Sequence, residues 1–170
     1  MDIFSHALWG NIEYRVISQT KHNPTLIWEG VLFSIFPDLF SFTYAFCWIT
    51  VQRMRGKLIR WPRTPEEFEL LPIAQITRRL YELSHSIIVW AVVFFTSWFI
   101  LGKLPWPLLG WATHILIDIP THEKNFYPTP FLWPISNFMV DGYAWARRRI
   151  MFLNAFALII AYALFFSGTI

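Results

Sequence analysis

Four apolar runs decide the solvent of this chain before any motif is read. They cover about residues 26–51, 86–101, 106–119 and 150–167, against roughly 17–25 residues for a helix that crosses a bilayer. A composition of 55% hydrophobic and only 15% charged residues, with a mean hydropathy of +0.41, is too apolar for a soluble domain of this size. Two runs are short: the second gains a turn if it begins near Leu80, and the third fits by tilting or by thinning the bilayer locally. The opening stretch, residues 3–17, mixes apolar residues with His6, Glu13 and Arg15. It reads as a fifth, polar-faced crossing or as an amphipathic helix in the interface, and we take it as a crossing. No Lys or Arg precedes Arg15, so the chain opens without the basic region of a secretory signal, and its first segment is expected to be retained as structure. The expectation is an all-α, polytopic membrane bundle of four to five transmembrane helices, one membrane-embedded domain over residues 1–170.

Charge orients that bundle. Residues 52–79 hold Arg53, Arg55, Lys57, Arg60, Arg63, Arg78 and Arg79, and residues 120–149 hold Lys124, Arg147, Arg148 and Arg149, whereas the turn at 102–105 has only Lys103. The positive-inside rule assigns both basic segments to the cytoplasm. A hairpin of the second and third helices around the 102–105 turn puts them on one side independently. Basic residues gathered at membrane flanks meet anionic headgroups, so the net charge of +3 requires no nucleic-acid partner. Within the first basic loop, Pro62, Pro65 and Pro72 bracket the acidic run Glu66-Glu67-Phe68-Glu69, a solvated turn or short surface helix without assigned chemistry. Oligomeric state leaves no trace in the pattern.

Ionisable residues inside apolar segments are costly and are functional candidates by default. This chain has His6, Asp38, His85, His114 and Asp118, with His122 just beyond. His114 and Asp118 are spaced i, i+4, which on a helix sets imidazole and carboxylate one turn apart on one face, a geometry that a divalent ion bridges. Pro120 biases the chain to leave the helix, so His122 can fold back toward that face as an extra ligand or proton carrier. Asp38 follows Pro37, where a proline break would free backbone groups and open a cavity; a buried carboxylate there needs a cation, or else serves as a cap after the break. His85 starts the second helix between Ser84 and Ser86, on the side of Asp118 and His122, and His6 joins them if the first segment crosses with its N-terminus inside.

Cys47 is the sole cysteine, which excludes an internal disulfide and a thiolate zinc framework. Imidazole and carboxylate donors without thiolate suit zinc first, then manganese or iron, and more than three candidate ligands leave room for two ions. His122-Glu123 begins a zinc-protease motif whose second histidine is replaced by Phe126. No serine lies in a nucleophile elbow, and no glycine-rich phosphate loop exists. The H-x-x-x-D of His114 and Asp118 lacks the companion motifs of a phosphatidic-acid-phosphatase-type lipid phosphatase.

Several short motifs stand in a recognisable order: S-H-A-L-W-G at the N-terminus, Pro37-Asp38, Ser84-His85-Ser86, G-x-x-x-H-x-x-x-D-x-x-T over residues 110–121, and Phe131-Leu132-Trp133-Pro134. Over residues 1–136 this arrangement resembles the YdjM-like family of inner-membrane metal-dependent hydrolases. The resemblance implies that His6, Asp38, His85, His114 and Asp118 are the metal-site residues and that Thr121 is a supporting hydroxyl. Two positions depart from the family's pattern. Phe40 stands where a second acidic residue is common, and Leu80-Tyr81 stand where a His-Arg pair is common. Glu82 is the nearby carboxylate that would replace the missing acid.

The functional expectation is a hydrolase of the prokaryotic inner or plasma membrane in which a bound metal activates water. His122 or Glu82 would be the general base, and the substrate an ester or phosphoester of a lipid or lipid-linked molecule. The alternative is a non-catalytic membrane protein, a metal-ion permease or partner-binding subunit, using the same His/Asp cluster; a plain intramembrane hydrogen-bond network is the third reading. The aromatic, proline-rich stretch 120–145 reads first as an interfacial belt, with a substrate lid at headgroup depth as the second reading, and the two are compatible.

Overall fold

The computed structural model describes every residue except Trp61, Arg63, Phe126 and Ile170, together with the side chain of Pro65. The parts assigned to Arg63 in the basic loop and to Phe126 in the aromatic stretch lie outside the described residues. All long elements among the described residues are α-helices: α1 (Ile3–Lys21), α2 (Thr25–Met54), α3 (Pro65–Glu69), α4 (Ala74–Ser84), α5 (Ile87–Leu101), α6 (Leu109–Thr121) and α7 (Arg148–Phe166). A 3₁₀ turn, Trp106–Leu108, leads into α6.

Asp2 starts α1 by accepting the Ser5 amide at 3.0 Å, satisfying one of the amides that a helix start leaves bare. α2 does not break at Pro37 as its sequence suggests, and Asp38 is an interior residue of it rather than a cap. Proline removes one backbone donor and crowds the preceding turn. Packing against α1, α4 and α6 holds the helix together across that turn. The second apolar run differs from its reading in the other direction. It is two helices, α4 and α5, bent by 56° at His85-Ser86. His85 therefore closes α4 and does not begin α5. The break is built by Ser86, whose hydroxyl accepts the amides of Ile88 and Val89 at 3.1 Å each, while the Ile87 amide turns to the Phe131 carbonyl at 2.9 Å. The acidic run forms the short helix α3, capped by Thr64.

By length and composition α2 and α7 can each cross a membrane, and α4 with α5 adds a third span if the bent pair crosses as one. That supports fewer spans than the four to five expected. α1 carries Glu13 and Arg15, and α6 has 13 residues, about 20 Å of helix at 1.5 Å per residue. α7 leaves nearly all of its apolar side chains at the surface, among them Phe152, Leu153, Phe156 and Ile159, as a helix facing lipid does.

Small residues set the approach of α1, α2 and α6. Tyr14 of α1 is fully buried against Gly30 of α2, where a Cβ would lie 2.1 Å from the ring. Its hydroxyl accepts the Gly110 amide at 2.7 Å and donates to the Trp106 and Pro107 carbonyls. Gly110 in turn lies over the Gly30 carbonyl, 2.6 Å from where its own Cβ would be. Backbones meet that closely only where side chains are missing, and the contact fixes α6 against the middle of α2. Phe94, Leu108, Trp111 and Ile115 then bury together beside Phe36 and Phe131. A second cluster joins Ala45 of α2 to Phe68, Ile73, Ala74 and Tyr127, so the basic loop and the stretch after α6 meet at one end of the bundle.

Candidate metal centre

That packing brings three separate helices to one point. Asp38 comes from the middle of α2, His85 from the break between α4 and α5, and His114 with Asp118 from α6. His114 Nε2 lies 3.2 Å from Asp118 Oδ2, 3.2 Å from His85 Nε2 and 3.8 Å from Asp38 Oδ1. His85 Nε2 lies 3.6 Å from both Asp38 Oδ1 and Asp118 Oδ2, and all four atoms lie within 4.8 Å of one another. A tetrahedral ion with bonds of about 2.0–2.1 Å has edges of about 3.3–3.4 Å, so separations of 3.2–3.8 Å are near those of a four-atom cage. The group could hold a metal ion. His85, His114 and Asp118 are buried, and Asp38 is the partly open corner, its side chain 18% exposed.

The outer hydrogen bonds say why a cation belongs in that cage. His114 Nδ1 donates to the Ser34 carbonyl at 2.7 Å, on the turn of α2 that precedes Pro37. His85 Nδ1 lies 2.9 Å from the Ser84 hydroxyl and 3.2 Å from the Tyr81 carbonyl. A carbonyl only accepts, so His114 carries its proton on Nδ1 and turns an Nε2 lone pair inward, and the Tyr81 carbonyl favours the same tautomer for His85. Two lone pairs then face each other at 3.2 Å, with two carboxylates beside them. Asp118 Oδ2 is buried and has no hydrogen-bond partner among the described residues. An arrangement of four electron-rich atoms without a donor is repulsive by itself, and a divalent ion satisfies all four.

The other residues singled out from the sequence lie at graded distances. His6, on the first turn of α1, stacks on the His114 ring at 3.6 Å and sets its Nε2 3.0 Å from Asp118 Oδ1. His122 follows α6, its Nε2 3.5 Å from Asp118 Oδ1 and its Nδ1 donating to the Tyr127 carbonyl at 2.8 Å. The Met1 α-amino nitrogen contacts Asp118 Oδ1 and lies 3.0 Å from His122 Nε2. Glu82 is not in the four-residue group and lines a different, charged cavity of about 380 Å³ with Glu66, Arg78 and Lys124. The Thr121 hydroxyl is turned back to the Ile117 carbonyl at 2.9 Å, a bond within its own helix. Sequence reasoning missed the Ser34 and Tyr127 carbonyls and the Tyr81 ring, which stacks on His85 at 3.8 Å.

Asp38 and His122 also line an apolar cavity of about 330 Å³, shared with Leu39, Phe42, Phe46, Phe68, Tyr127 and Trp145. The stretch after α6 forms part of its wall because it doubles back: Gly142, Tyr143 and Trp145 donate their amides to the carbonyls of His122, Pro120 and Thr121. The family model described as YdjM inner membrane protein matches residues 1–169. No curated protein and no solved structure matches the chain significantly.

Proposed function

We propose, starting from a chain that belongs to the YdjM inner membrane protein family, that it is a membrane-bound, metal-dependent hydrolase of an ester or phosphoester in a lipid or lipid-linked substrate. The observation that carries the reading is the meeting of the two features at Asp38: the cage of Asp38, His85, His114 and Asp118 adjoins a cavity of about 330 Å³ with an apolar wall. That volume is within the range of small-ligand sites, and its lining suits a substrate that arrives from lipid. The donor set favours zinc, with manganese or iron as alternatives.

A bound ion would polarise a phosphoryl or carbonyl oxygen and bring the pKa of water down to about 7. The chain supplies the rest. The Ser34 and Tyr81 carbonyls favour the ligating tautomer of the two imidazoles, with the Ser84 hydroxyl beside His85, and Leu39, Phe42 and Phe46 give the cavity its apolar side. The attacking water must surrender a proton at the mouth, where Asp38 and His122 stand. His122 Nε2, 3.5 Å from Asp118 Oδ1, would take it, with the Asp38 carboxylate beside it on the same cavity as the other acceptor. Glu82 lines the other cavity, and this reading gives it no part in the step.

We place α1 and α6 in the membrane with α2, the α4–α5 pair and α7, as a single membrane-embedded domain whose basic segments 52–79 and 120–149 face the cytoplasm. The test is direct: protein purified in detergent and loaded with zinc or manganese is incubated with acyl-ester and phosphoester lipids. Turnover that a chelator stops, metal restores and His114→Ala abolishes supports the hydrolase. Fully loaded, folded protein that turns over none of them while assembling with a partner or passing ions across vesicles points to the non-catalytic alternative.

A further inference from the structure

Outside the basic segments 52–79 and 120–149 the chain has three lysines and arginines: Arg15, Lys21 and Lys103. Arg15 is engaged elsewhere, its guanidinium lying over the Phe165 and Phe166 rings of α7. The other two meet. Lys21 is the last residue of α1, and Lys103 follows Gly102, the left-handed cap of α5; both line a cavity of about 560 Å³. α1 starts beside the cage at His6 and reaches Lys21 about 22 Å further along its axis, so this cavity lies at the opposite end of the bundle. We infer that it is a binding site for an anionic phospholipid, whose phosphate sits between Lys21 and Lys103 and whose chains begin against α2 and α5. The site is separate from the metal centre and stands whether or not the protein is a hydrolase.

Three observations carry it. The first is uncompensated charge. Among the described residues the ion pairs of lysine and arginine are Arg78–Glu69 and Arg147–Glu123, at the cage end, so no carboxylate neutralises Lys21 or Lys103. Glu29 shares the cavity, and two ammonium groups against one carboxylate leave it net positive. The second is that one ammonium is already held in place: Lys21 Nζ lies 4.4 Å from the Trp106 ring centroid, a cation–π contact on a tryptophan of the kind that settles at headgroup depth. The third is the lining. Leu26, Glu29 and Phe33 recur at i, i+3 and i+7 along α2, and Ser97 and Leu101 at i, i+4 along α5, so one face of each helix forms the wall. Leu104 and Leu108 complete it, and Leu101 and Leu104 are exposed. A soluble anion gains nothing from such a wall, whereas a lipid matches both parts, its phosphate to the lysines and its hydrocarbon to the leucines.

Lipid binding followed by native mass spectrometry tests the site without reference to metal or turnover. The full chain, in a neutral detergent at low salt, is mixed with increasing phosphatidylglycerol and, separately, with phosphatidylcholine carrying the same acyl chains. The expected result is a first phosphatidylglycerol held more tightly than any phosphatidylcholine. Lys21→Gln and Lys103→Gln are each expected to weaken that first lipid about fivefold, and the double variant about twenty-fivefold. Lys57→Gln, in the basic loop at the other end, is expected to leave it unchanged. All three lysines are exposed, so the substitutions spare the packed core and helical circular dichroism is expected to stay the same. Equal affinity for the two lipids, an unweakened first lipid in the double variant, or a Lys57→Gln loss as large as that of the double variant overturns the site: the lysines then only reach into the general headgroup layer. Glycerol phosphate offered alone decides the source of the phosphate. Much weaker binding than phosphatidylglycerol supports a lipid, and equal binding makes this a site for a soluble anion and overturns the assignment.

Discussion

A ligand is only as good as the group that aims it, and at the level of single residues the aiming groups are the ones to disturb. Ser84 lies 2.9 Å from His85 Nδ1 and also bonds Ser41 and the Pro37 carbonyl, so it ties the imidazole to α2. Ser84→Ala leaves the Tyr81 carbonyl, at 3.2 Å, as the remaining acceptor. Metal affinity is expected to fall roughly tenfold, the low end for losing such a support, read by competition with a chromophoric chelator at unchanged helical content. Asp38, at the open corner, is expected to behave differently: Asp38→Asn keeps the fold and weakens the ion, because it removes one charge and no packing. The ligands themselves were legible in the sequence, since a polar residue in an apolar run is conspicuous and His114 with Asp118 share a face by spacing alone. Their supports were not. Ser34 and Tyr127 act through backbone carbonyls, which every residue has, and no side-chain pattern announces them. Glu82 stood out only as a substitute for the acid missing from the family's pattern, and the turn of α4 carries it to another cavity.

Between elements, the site depends on how closely α1, α2 and α6 meet. Gly30 is covered by the Tyr14 ring, and Gly30→Ala forces an added methyl against a buried, hydrogen-bonded aromatic. Overpacking of this kind costs about 1–3 kcal/mol. A lowered unfolding midpoint in detergent is expected, with weaker metal retention, because the same shift moves the Ser34 carbonyl from His114. A variant with unchanged midpoint and full metal retention would show that α1 and α2 are free to separate there. Ser86→Ala removes the cap of α5 and the turn that sets His85 facing inward; it is expected to cost about 1 kcal/mol. The apolar runs foretold α2, α5, α6 and α7 well, because hydrophobic length is what a membrane selects. The bends were misread. Proline at position 37 marks a break by local rules, but contacts with three neighbouring helices hold α2 through it, whereas Ser84-His85-Ser86 contains no breaker and still splits a run in two. That split depends on the Phe131 carbonyl, 44 residues away in the chain as counted from Ile87, and distant partners of this kind have no local signature.

For the molecule as a whole, an ion that binds only the assembled bundle adds to its stability by mass action, about 2.7 kcal/mol at a hundredfold excess over its dissociation constant. Chelation is therefore expected to lower the unfolding temperature reversibly in the wild-type protein and to leave His114→Ala unmoved. The same assembly ties site to membrane side. Tyr127 packs with Phe68 at 5.7 Å, so the loop after α2 and the stretch after α6 meet at one end, the end on which the cage and its cavity open. If that end is cytoplasmic, as proposed above from the positive-inside rule, and α4 with α5 crosses as one span, then Lys57 and Lys103, on either side of the pair, lie on opposite faces of the membrane. In a Cys47→Ser background, Lys57→Cys is expected to react with an impermeant maleimide only in inverted vesicles and Lys103→Cys only in right-side-out cells. Labelling of both from the same side would make the 56° bend between α4 and α5 a re-entrant turn rather than a span. The cavity beside Asp38 lies at the end that Lys57 marks, so labelling of both only from outside would overturn the cytoplasmic assignment of the site as well.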